Sequence, residues 1–281
     1  MFGHHMFFAF IFLISLSLES HAQTVAEPHA CQLGITLSGG AARGYAHIGV
    51  LRAFEEAGVE IDYISGSSMG AIVGLLYAAG KTPDEMMNIA KSIKKRRVTS
   101  AGRFSFRKKG LDYMEQVVKK HISAETFDQL EKPLFLCVTN FQSGRYEIIS
   151  QGEIFPAVRA SAAVPLVYRQ QIINGTAYID GGVVNNLPVE PLRDKCMIVV
   201  GISVNPIEYK SEKMSLKKQI MRVSELMINE NEARRIEMCD YHLEVPDLGS
   251  IDFEEYDQPQ KIHDMGYRAA KEFLVQLKIK K

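Results

Sequence analysis

The sequence predicts an α/β protein with a mostly parallel central sheet and helices on both faces. Apolar, strand-like runs alternate along the chain with amphipathic helical stretches. Glycine-rich turns join a strand to a helix at two places, Gly39–Gly44 and Gly66–Gly70. The chain has 281 residues, of which 46% are hydrophobic, and this is ample for one sizeable core. We therefore expect a single domain over residues 33–281.

The predicted elements follow one another in the order that such a fold requires. A strand over 33–38 runs into the first glycine-rich turn, and the helix after it ends near Gly58. Residues 82–85 open a later helix with a capping box, and an Asn-Gly turn predicts a hairpin over 172–179 that leads to Asp180. The other predicted strands are 61–65, 134–139, 146–149, 197–204 and 241–245, and the other helices are 71–79, 153–161, 215–237 and 260–277.

Charge balance and the N-terminus bear on partners and destination. Lys+Arg and Asp+Glu number 33 each, so the chain has no excess of basic residues. A nucleic-acid partner is therefore not expected. Residues 7–18 form an apolar run of signal-peptide length, followed by small residues at the cleavage positions in 20–22. We expect a secretory signal peptide over 1–22, then an N-terminal extension over 23–32. The mature chain would be periplasmic, secreted or associated with an outer membrane, and an uncleaved anchor is the alternative.

Four cysteines remain after the expected cleavage: Cys31, Cys137, Cys196 and Cys239. Export permits disulfides. However, Cys137 and Cys196 lie inside apolar strand-like runs, where a buried free thiol is the commoner state. We therefore assign no disulfide, and the pairing of these cysteines is left open. The spacing is not that of a metal site, and no metal or cofactor is expected.

The turn Gly66-Ser67-Ser68-Met69-Gly70 has the G-x-S-x-G spacing of a nucleophile elbow. The backbone of such an elbow folds back so tightly that only glycine fits two residues to either side of the central serine. The serine hydroxyl is then exposed near the positive end of the following helix. Ser68 is thus the candidate nucleophile, and an ordinary Gly/Ser turn is the alternative.

The other glycine-rich turn, Gly39-Gly40-Ala41-Ala42-Arg43-Gly44, exposes backbone N–H groups to an anion. Its pattern does not fit G-x-G-x-x-G, so dinucleotide binding is not indicated. A phosphate would suit the turn, and so would an oxyanion formed during acyl transfer. A tight connection without a ligand is the remaining alternative.

Residues 91–120 are rich in basic side chains, and two phenylalanines lie among them. Such a run is usually a solvated helical face. The alternative is a basic, aromatic rim that makes peripheral contact with anionic lipid headgroups, to which each Lys or Arg could add about 1 kcal/mol. The residues are Lys91, Lys94, Lys95, Arg96, Arg97, Arg103, Phe104, Phe106, Arg107, Lys108, Lys109, Lys119 and Lys120.

Three stretches in fixed order, Gly39–Gly44, Gly66–Gly70 and Asp180-Gly181-Gly182, together resemble the bacterial branch of the patatin-like phospholipase family. Residues 159–165 and 186–189 are similar to that family too, and the resemblance covers roughly residues 33–205. It implies a three-layer α/β/α patatin-like fold and a lipid acyl hydrolase without a catalytic histidine. Many members have a third glycine where this chain has Ala41. Members often have a glycine in the stretch that reads Leu166-Val167-Tyr168 here, which is expected to line the acyl pocket.

The resemblance implies a Ser68–Asp180 dyad that forms an acyl-enzyme. Asp180 would accept the Ser68 proton, and the backbone donors of Gly39–Ala42 would hold the oxyanion. Arg43 would steady the loop through backbone carbonyls, and Gly181 and Gly182 would let the backbone pass close to Ser68. Burial would raise the pKa of Asp180 and backbone donors would lower it, and the sequence leaves the balance open.

Two other functions stay open at this stage. His242 and His263 both follow Asp180, so the chain order Ser-Asp-His of an esterase triad is available. His47, just after the glycine-rich turn, is expected to be a packed or capping histidine. A catalytically silent lipid- or anion-binding protein on the same scaffold is the alternative outside enzymes. The lipid headgroup, the acyl position, the oligomeric state and any calcium dependence are not predicted.

Overall fold

The computed structural model describes residues 31–99, 109–208 and 215–276. The strands are β1 (Cys31–Leu37), β2 (Tyr63–Ser67), β3 (Leu134–Asn140), β4 (Tyr146–Ile149), β5 (Gln171–Ile173), β6 (Thr176–Asp180), β7 (Cys196–Ser203) and β8 (Tyr241–Glu244). The helices are α1 (Tyr45–Glu56), α2 (Met69–Ala78), α3 (Pro83–Ser92), α4 (Lys95–Thr99), α5 (Lys109–Lys119), α6 (Ile154–Ser161), α7 (Glu190–Arg193), α8 (Leu216–Ile236) and α9 (Pro259–Gln276).

The strands form one mixed sheet in the order β5-β6-β3-β2-β1-β7-β8, and β4 pairs with β3. The pairs β1–β2, β2–β3, β1–β7 and β7–β8 are parallel. The pairs β3–β4, β3–β6 and β5–β6 are antiparallel. A short turn after Asn140 and the Asn174-Gly175 turn produce antiparallel neighbours, as tight turns must. The predicted, mostly parallel α/β sheet is confirmed.

Helices cover both faces of this sheet. The larger core cluster includes Ile35 and Ile64 of the central strands, together with side chains of α1, α2 and α9. Neighbouring strand residues face opposite sides, and the Ser65 hydroxyl donates to the Pro188 carbonyl at 2.6 Å on the other face. A smaller cluster that includes Leu192 and Val199 fills that face.

Element boundaries differ from the predicted ones by a few residues. Strand β1 begins at Cys31 instead of residue 33. Residues 31 and 32, which were expected to end the N-terminal extension 23–32, therefore belong to the sheet. Strand β2 continues to Ser67, because that residue still pairs with Cys137 of β3. The expected signal peptide, residues 1–22, lies outside the described residues. No helix in the described ranges has both the length and the hydropathy needed to cross a membrane.

Cys31 and Cys196 form a disulfide, so the buried free thiol favoured for Cys196 is wrong. The parallel register of β1 and β7 places these residues opposite each other, with their Cα atoms 4.4 Å apart. The sequence does not reveal that β1 and β7 are neighbours, since β2 to β6 lie between them in the chain. Cys137 is free and buried, as predicted, and Cys239 is also free.

Candidate functional site

Ser68 lies between the last residue of β2 and the first residue of α2. Its φ is 52° and its ψ is −118°, an unusual backbone conformation for a side chain other than glycine. A Cβ on Gly66 would lie 2.6 Å from the carbonyl carbon of Gly70. The predicted crowding between these two positions is confirmed at Gly66, whereas a Cβ on Gly70 would collide with the Leu37 carbonyl of β1 and lie 2.6 Å from the Ser38 carbonyl oxygen.

Ser68 and Asp180 meet although 112 positions separate them. The Ser68 Oγ donates a hydrogen bond to Asp180 Oδ2 at 2.6 Å. Strand β3 explains the meeting, because Cys137 pairs with Ser67 and the next residue, Val138, pairs with Asp180. Both side chains are buried, with 7% of Ser68 and 5% of Asp180 exposed.

The surroundings of Asp180 answer the question that the sequence left open about its pKa. Its Oδ1 accepts the N–H of Gly182 at 2.8 Å, and its Oδ2 accepts the Ser68 hydroxyl. Burial raises the pKa of Asp180 to about 7, against the lowering by these two hydrogen bonds. A carboxyl group with this pKa can take up and release a proton near neutral pH.

Gly181 and Gly182 permit close approaches of the Asp180 turn to neighbouring segments. A Cβ on Gly181 would collide with the Cys137 carbonyl of β3 and lie 2.7 Å from Ser67 Oγ. A Cβ on Gly182 would collide with the side-chain oxygen of Asn186 and lie 3.0 Å from Asp180 Oδ1. These glycines therefore let the Asp180 turn pack against β3, the end of β2 and Asn186.

Only part of the glycine-rich loop has free backbone donors. The N–H of Gly39 donates to the Asn186 carbonyl at 3.2 Å, and the N–H of Ala42 donates to the Phe253 carbonyl at 3.1 Å. Within the described residues, the N–H groups of Gly40 and Ala41 have no acceptor. The expectation that all of Gly39–Ala42 would face an oxyanion is thus too broad. Two donors remain available.

The loop lies directly against the candidate nucleophile. A Cβ on Gly39 would be 2.9 Å from the Cβ of Ser68, so a larger residue would displace the serine. Ala41, where many members of the resembled family have glycine, has a positive φ of 46°. An alanine in this region costs roughly 1–2 kcal/mol relative to its usual conformations. At Gly44, a Cβ would collide with the side chain of Met69.

Arg43 anchors the loop to the C-terminal part of the chain. Its side chain donates to the Ile251 carbonyl at 2.8 Å and to Glu225 Oε1 of α8 at 2.8 Å, and it stacks over the Phe253 ring at 4.2 Å. It also donates to the Gly249 carbonyl at 3.3 Å. Burial lowers the pKa of Arg43, and the nearby Glu225 opposes this. The expected bonds to carbonyls are confirmed, and their acceptors belong to residues 249–251.

Four polar residues contact this site without having been proposed from the sequence. Ser161 Oγ accepts the backbone N–H of Ser68 at 3.0 Å. The other three are Asn186, Asn205 and Glu232, which form a buried network behind Gly39. Ser161 and Asn186 fall in stretches similar to the family, so a signal existed for them. Asn205 and Glu232 fall in no motif that could have identified them.

No histidine within the described residues hydrogen-bonds to Ser68 or Asp180. His242 contacts Ser203 Oγ at 3.1 Å, and His263 contacts Asp264 at 2.9 Å. His47 is packed as expected, with Nε2 at 2.8 Å from the Ser38 carbonyl oxygen, and burial lowers its pKa to about 4. The contacts give the Ser-Asp-His alternative no support. No group of three or more His, Cys, Asp or Glu within these ranges could hold a metal ion.

The segment expected to line an acyl pocket is largely at the surface. Leu166 is 73% exposed and Val167 is 42% exposed, whereas the Tyr168 hydroxyl donates to the Val98 carbonyl at 3.3 Å. A small apolar cavity lies instead between α2, α5 and α6. Its volume is about 10 Å³, and its lining includes Ile72 of α2, one turn along the helix from Ser68.

The basic stretch 91–120 is described only in part. Lys95 Nζ lies 3.0 Å from Asp257, and the Arg97 guanidinium stacks over the Tyr113 ring at 4.2 Å. These two cations are engaged in contacts within the protein. Residues 100–108, which include both phenylalanines, lie outside the described residues.

Comparisons with known proteins identify the family of this chain. The family model of patatin-like phospholipases matches residues 35–193. An uncharacterized NTE family protein of Mycobacterium bovis is 33% identical over 63% of this chain and 50% of its own length. Lysophospholipase NTE1 of Mycosarcoma maydis is 28% identical over 86% of this chain and 15% of its own length. The chain thus spans half or less of the length of these relatives.

Two solved structures are similar with a TM-score of 0.47 each. The type III effector ExoU is 16% identical, with 90% of this chain and 54% of ExoU covered. Human GIVD cytosolic phospholipase A2 is 10% identical, with 88% of this chain and 62% of that chain covered. Because the family model matches more than half of the sequence, residues 35–193, the chain belongs to the patatin-like phospholipase family.

Proposed function

We propose that this chain is a serine lipid acyl hydrolase that cleaves carboxylic esters through Ser68 and Asp180. The observation that carries the proposal is the 2.6 Å hydrogen bond from Ser68 Oγ to Asp180 Oδ2 at a buried positive-φ turn. A hydroxyl bonded in this way to a carboxylate already has its proton acceptor in place. Family membership supports lipid esters as the substrate class.

The first half of the reaction acylates the serine. Ser68 Oγ attacks the ester carbonyl carbon while its proton passes to the Asp180 carboxylate, and the carbonyl electron pair moves onto oxygen. When the tetrahedral intermediate collapses, the alcohol leaves with the proton that Asp180 returns. The pKa of about 7 suits Asp180 to both transfers near neutral pH.

The second half releases the fatty acid. Water attacks the acyl-Ser68 ester and gives a proton to Asp180, and collapse of the second intermediate returns this proton to Ser68 Oγ. In both halves we assign the developing oxyanion to the N–H groups of Gly40 and Ala41. Loss of one donor of this kind typically raises the barrier by roughly 2.7–4 kcal/mol.

We propose that the acyl chain enters between α2, α5 and α6, where the apolar cavity of about 10 Å³ would have to widen to admit it. Its lining is hydrophobic apart from Glu115 and Arg159, which pair with each other at 2.6 Å. A binding site for an acyl chain requires apolar walls next to the reacting atom. The apolar lining consists of Ile72, Leu111, Met114, Val118, Phe155, Val158 and Ala162.

Export and contact with a membrane are further proposals about the intact protein. The disulfide between Cys31 and Cys196 supports passage into an oxidising compartment. Cell fractionation with sequencing of the mature N-terminus tests cleavage after residue 22. Binding to anionic vesicles, lost when the basic residues of 91–120 are replaced, tests the proposed peripheral contact.

The activity is tested with a short p-nitrophenyl ester and a fluorophosphonate probe. The wild type should hydrolyse the ester and be labelled on Ser68, and Ser68→Ala should lose both properties while it stays folded. Ser67→Ala is the matched control, because it removes a hydroxyl from the adjacent residue and should keep both. Mass spectrometry of the products from a mixed lipid extract then identifies the headgroup and the acyl position.

Folded wild-type protein that shows neither hydrolysis nor labelling contradicts the proposal. Liposome binding that persists in Ser68→Ala, without any ester cleavage by the wild type, favours the lipid-binding alternative instead.

A further inference from the structure

A closed ring of buried hydrogen bonds holds the Gly39 carbonyl at the start of the glycine-rich loop. The Gly39 oxygen accepts from the side-chain amides of Asn186 at 3.1 Å and Asn205 at 2.7 Å. Each amide also donates to the same oxygen, Oε1 of Glu232, at 2.5 and 2.9 Å respectively. A side-chain amide has two N–H donors, so both amides are fully used by this ring.

The ring fixes the direction of the next backbone N–H. A peptide unit is planar and trans, so the carbonyl of Gly39 and the N–H of Gly40 point in opposite directions. With the carbonyl held toward Glu232, the Gly40 N–H points away from the ring, and within the described residues it has no acceptor. Gly39 itself packs against Ser68. We infer that Glu232 is a positioning residue that aims the Gly40 N–H at the oxyanion through Asn186 and Asn205.

The neighbouring residue on α8 connects the other half of the site. Asn231 accepts the backbone N–H of Asn186 at 3.0 Å and donates to the Gly182 carbonyl at 3.1 Å. Gly182 in turn donates to Asp180. One turn of α8 therefore fixes the oxyanion loop and the proton acceptor relative to each other.

Burial of a carboxyl group at this depth costs desolvation free energy, which its hydrogen bonds must offset. Glu232 is 1% exposed, and burial raises its pKa to about 7. Glu244 raises this pKa further, whereas hydrogen bonds from three side chains lower it, those of Asn186, Asn205 and Ser203. An apolar residue would avoid the desolvation cost, but it would leave two buried amide donors without an acceptor. An oxygen acceptor is what the ring requires.

Two substitutions at Glu232 separate positioning from charge, measured on the full chain with the p-nitrophenyl ester. Glu232→Gln keeps an oxygen that can accept from both amides, and its kcat should stay within about threefold of wild type. Glu232→Ala removes the acceptor, and its kcat should fall by about 10- to 100-fold. KM should change little in Glu232→Ala, because an oxyanion donor acts mainly in the transition state.

The matched control is Glu230→Ala on the same helix. The Glu230 side chain is 73% exposed and pairs only loosely with Arg234, at 3.5 Å. This variant should match the wild type in kcat and in thermal stability. Asn205→Ala is the second variant of the ring, in case Glu232→Ala fails to fold. It removes one of the two donors to Gly39 and should lower kcat by about 5- to 20-fold at unchanged KM.

The inference rests on the proposed function, and the outcomes distinguish the two. If the wild type neither hydrolyses the ester nor is labelled at Ser68, the proposed function fails. If the wild type is active but Asn205→Ala and folded Glu232→Ala keep wild-type kcat, only the positioning role is overturned. A Glu232→Gln variant as impaired as Glu232→Ala would also overturn it, since the charge rather than the acceptor geometry would then matter.

Discussion

The elbow at Gly66–Gly70 and the loop at Gly39–Gly44 both join a strand to a helix, yet different contacts hold each of them. In the elbow, the backbone of Gly66 faces the backbone of Gly70, and both belong to one short stretch. In the loop, the anchors come from residues far along the chain. Glu232 acts through the side-chain amides of Asn186 and Asn205, and the Ile251 carbonyl accepts a hydrogen bond from Arg43. The approach of Gly66 to Gly70 is a local steric constraint, although Ser161 and β1 also contact the elbow, whereas the loop depends mainly on distant anchors.

The difference teaches how the two turns should respond to change. Replacement of Gly66 in the elbow should lower the stability of the fold. Removal of a distant anchor should change the direction of the N–H groups of the loop. The sheet should stay folded in such a variant. The following predictions test this contrast, from the largest expected effect to the smallest.

The largest effect comes from removal of the proton acceptor, with both turns left in place. Asp180→Asn keeps an oxygen for the Gly182 N–H but cannot take the Ser68 proton. We expect kcat to fall by about 10³- to 10⁴-fold, measured with the short ester. In the wild type, activity should rise with pH and level off above about 7, because Asp180 must be ionised to act as base. An unchanged kcat in Asp180→Asn would remove Asp180 from the mechanism.

The same substitution should have the opposite effect on stability. The pKa of Asp180 in the folded protein is about 7, above its ordinary value of 3.8. The folded state therefore binds this proton more tightly than the unfolded state, and stability is lost as pH rises through that interval. Between about pH 5 and pH 8, urea unfolding should show Asp180→Asn losing less stability than the wild type, by on the order of 1–3 kcal/mol. Equal losses would show that the charge of Asp180 is not buried in solution.

Gly66→Ala and Gly39→Ala compare the two turns directly. The Cβ at Gly66 would meet backbone atoms of Gly70 that cannot yield, so Gly66→Ala should destabilise the fold by about 3 kcal/mol or more. The Cβ at Gly39 would meet the side chains of Asn186 and Ser68, so its main effect should be on kcat. Urea unfolding and ester kinetics on both variants measure the contrast. A similar stability loss in both would contradict it.

Arg43→Lys tests the distant anchoring of the loop. Lysine keeps the charge but cannot reproduce the guanidinium fork toward Ile251 and Glu225, nor the stacking on Phe253. We expect a loss of about 1–3 kcal/mol in unfolding free energy, together with reduced kcat. Arg52→Lys serves as control, since Arg52 makes exposed ion pairs whose loss should change stability by less than about 1 kcal/mol. Equal effects of the two substitutions would argue against the anchor.

Ala41→Gly should have the smallest effect. Glycine relieves the positive φ of 46°, worth roughly 1–2 kcal/mol, but it also adds roughly 0.5–1 kcal/mol of unfolded-state entropy. The net change in unfolding free energy should be a gain of less than about 1 kcal/mol, with kcat close to wild type. Ala42→Gly is the comparison, since Ala42 has no positive φ and should lose stability. A clear loss in Ala41→Gly would mean that the strain is not present.

Sequence reasoning succeeded where the controlling physics is local. The periodicity of apolar residues predicted the order of strands and helices, and the capping box at Thr82 is present as predicted. The elbow around Ser68 followed from the spacing of two glycines, because steric exclusion acts between near neighbours. The resemblance supplied Asp180, which no local pattern would have distinguished from an ordinary turn after a strand.

The sequence by itself determined the α/β class, the elbow and the residue types available to the site. The tertiary structure alone decided that Cys31 faces Cys196, that the Gly40 and Ala41 N–H groups meet no acceptor in the part of the chain that the structure describes, and that Glu232 lies behind the loop. It also decided that burial outweighs hydrogen bonding at Asp180. The physical reason is range: backbone sterics and side-chain periodicity act within a few residues, whereas burial, strand neighbours and hydrogen-bond partners depend on which distant segments the fold brings together.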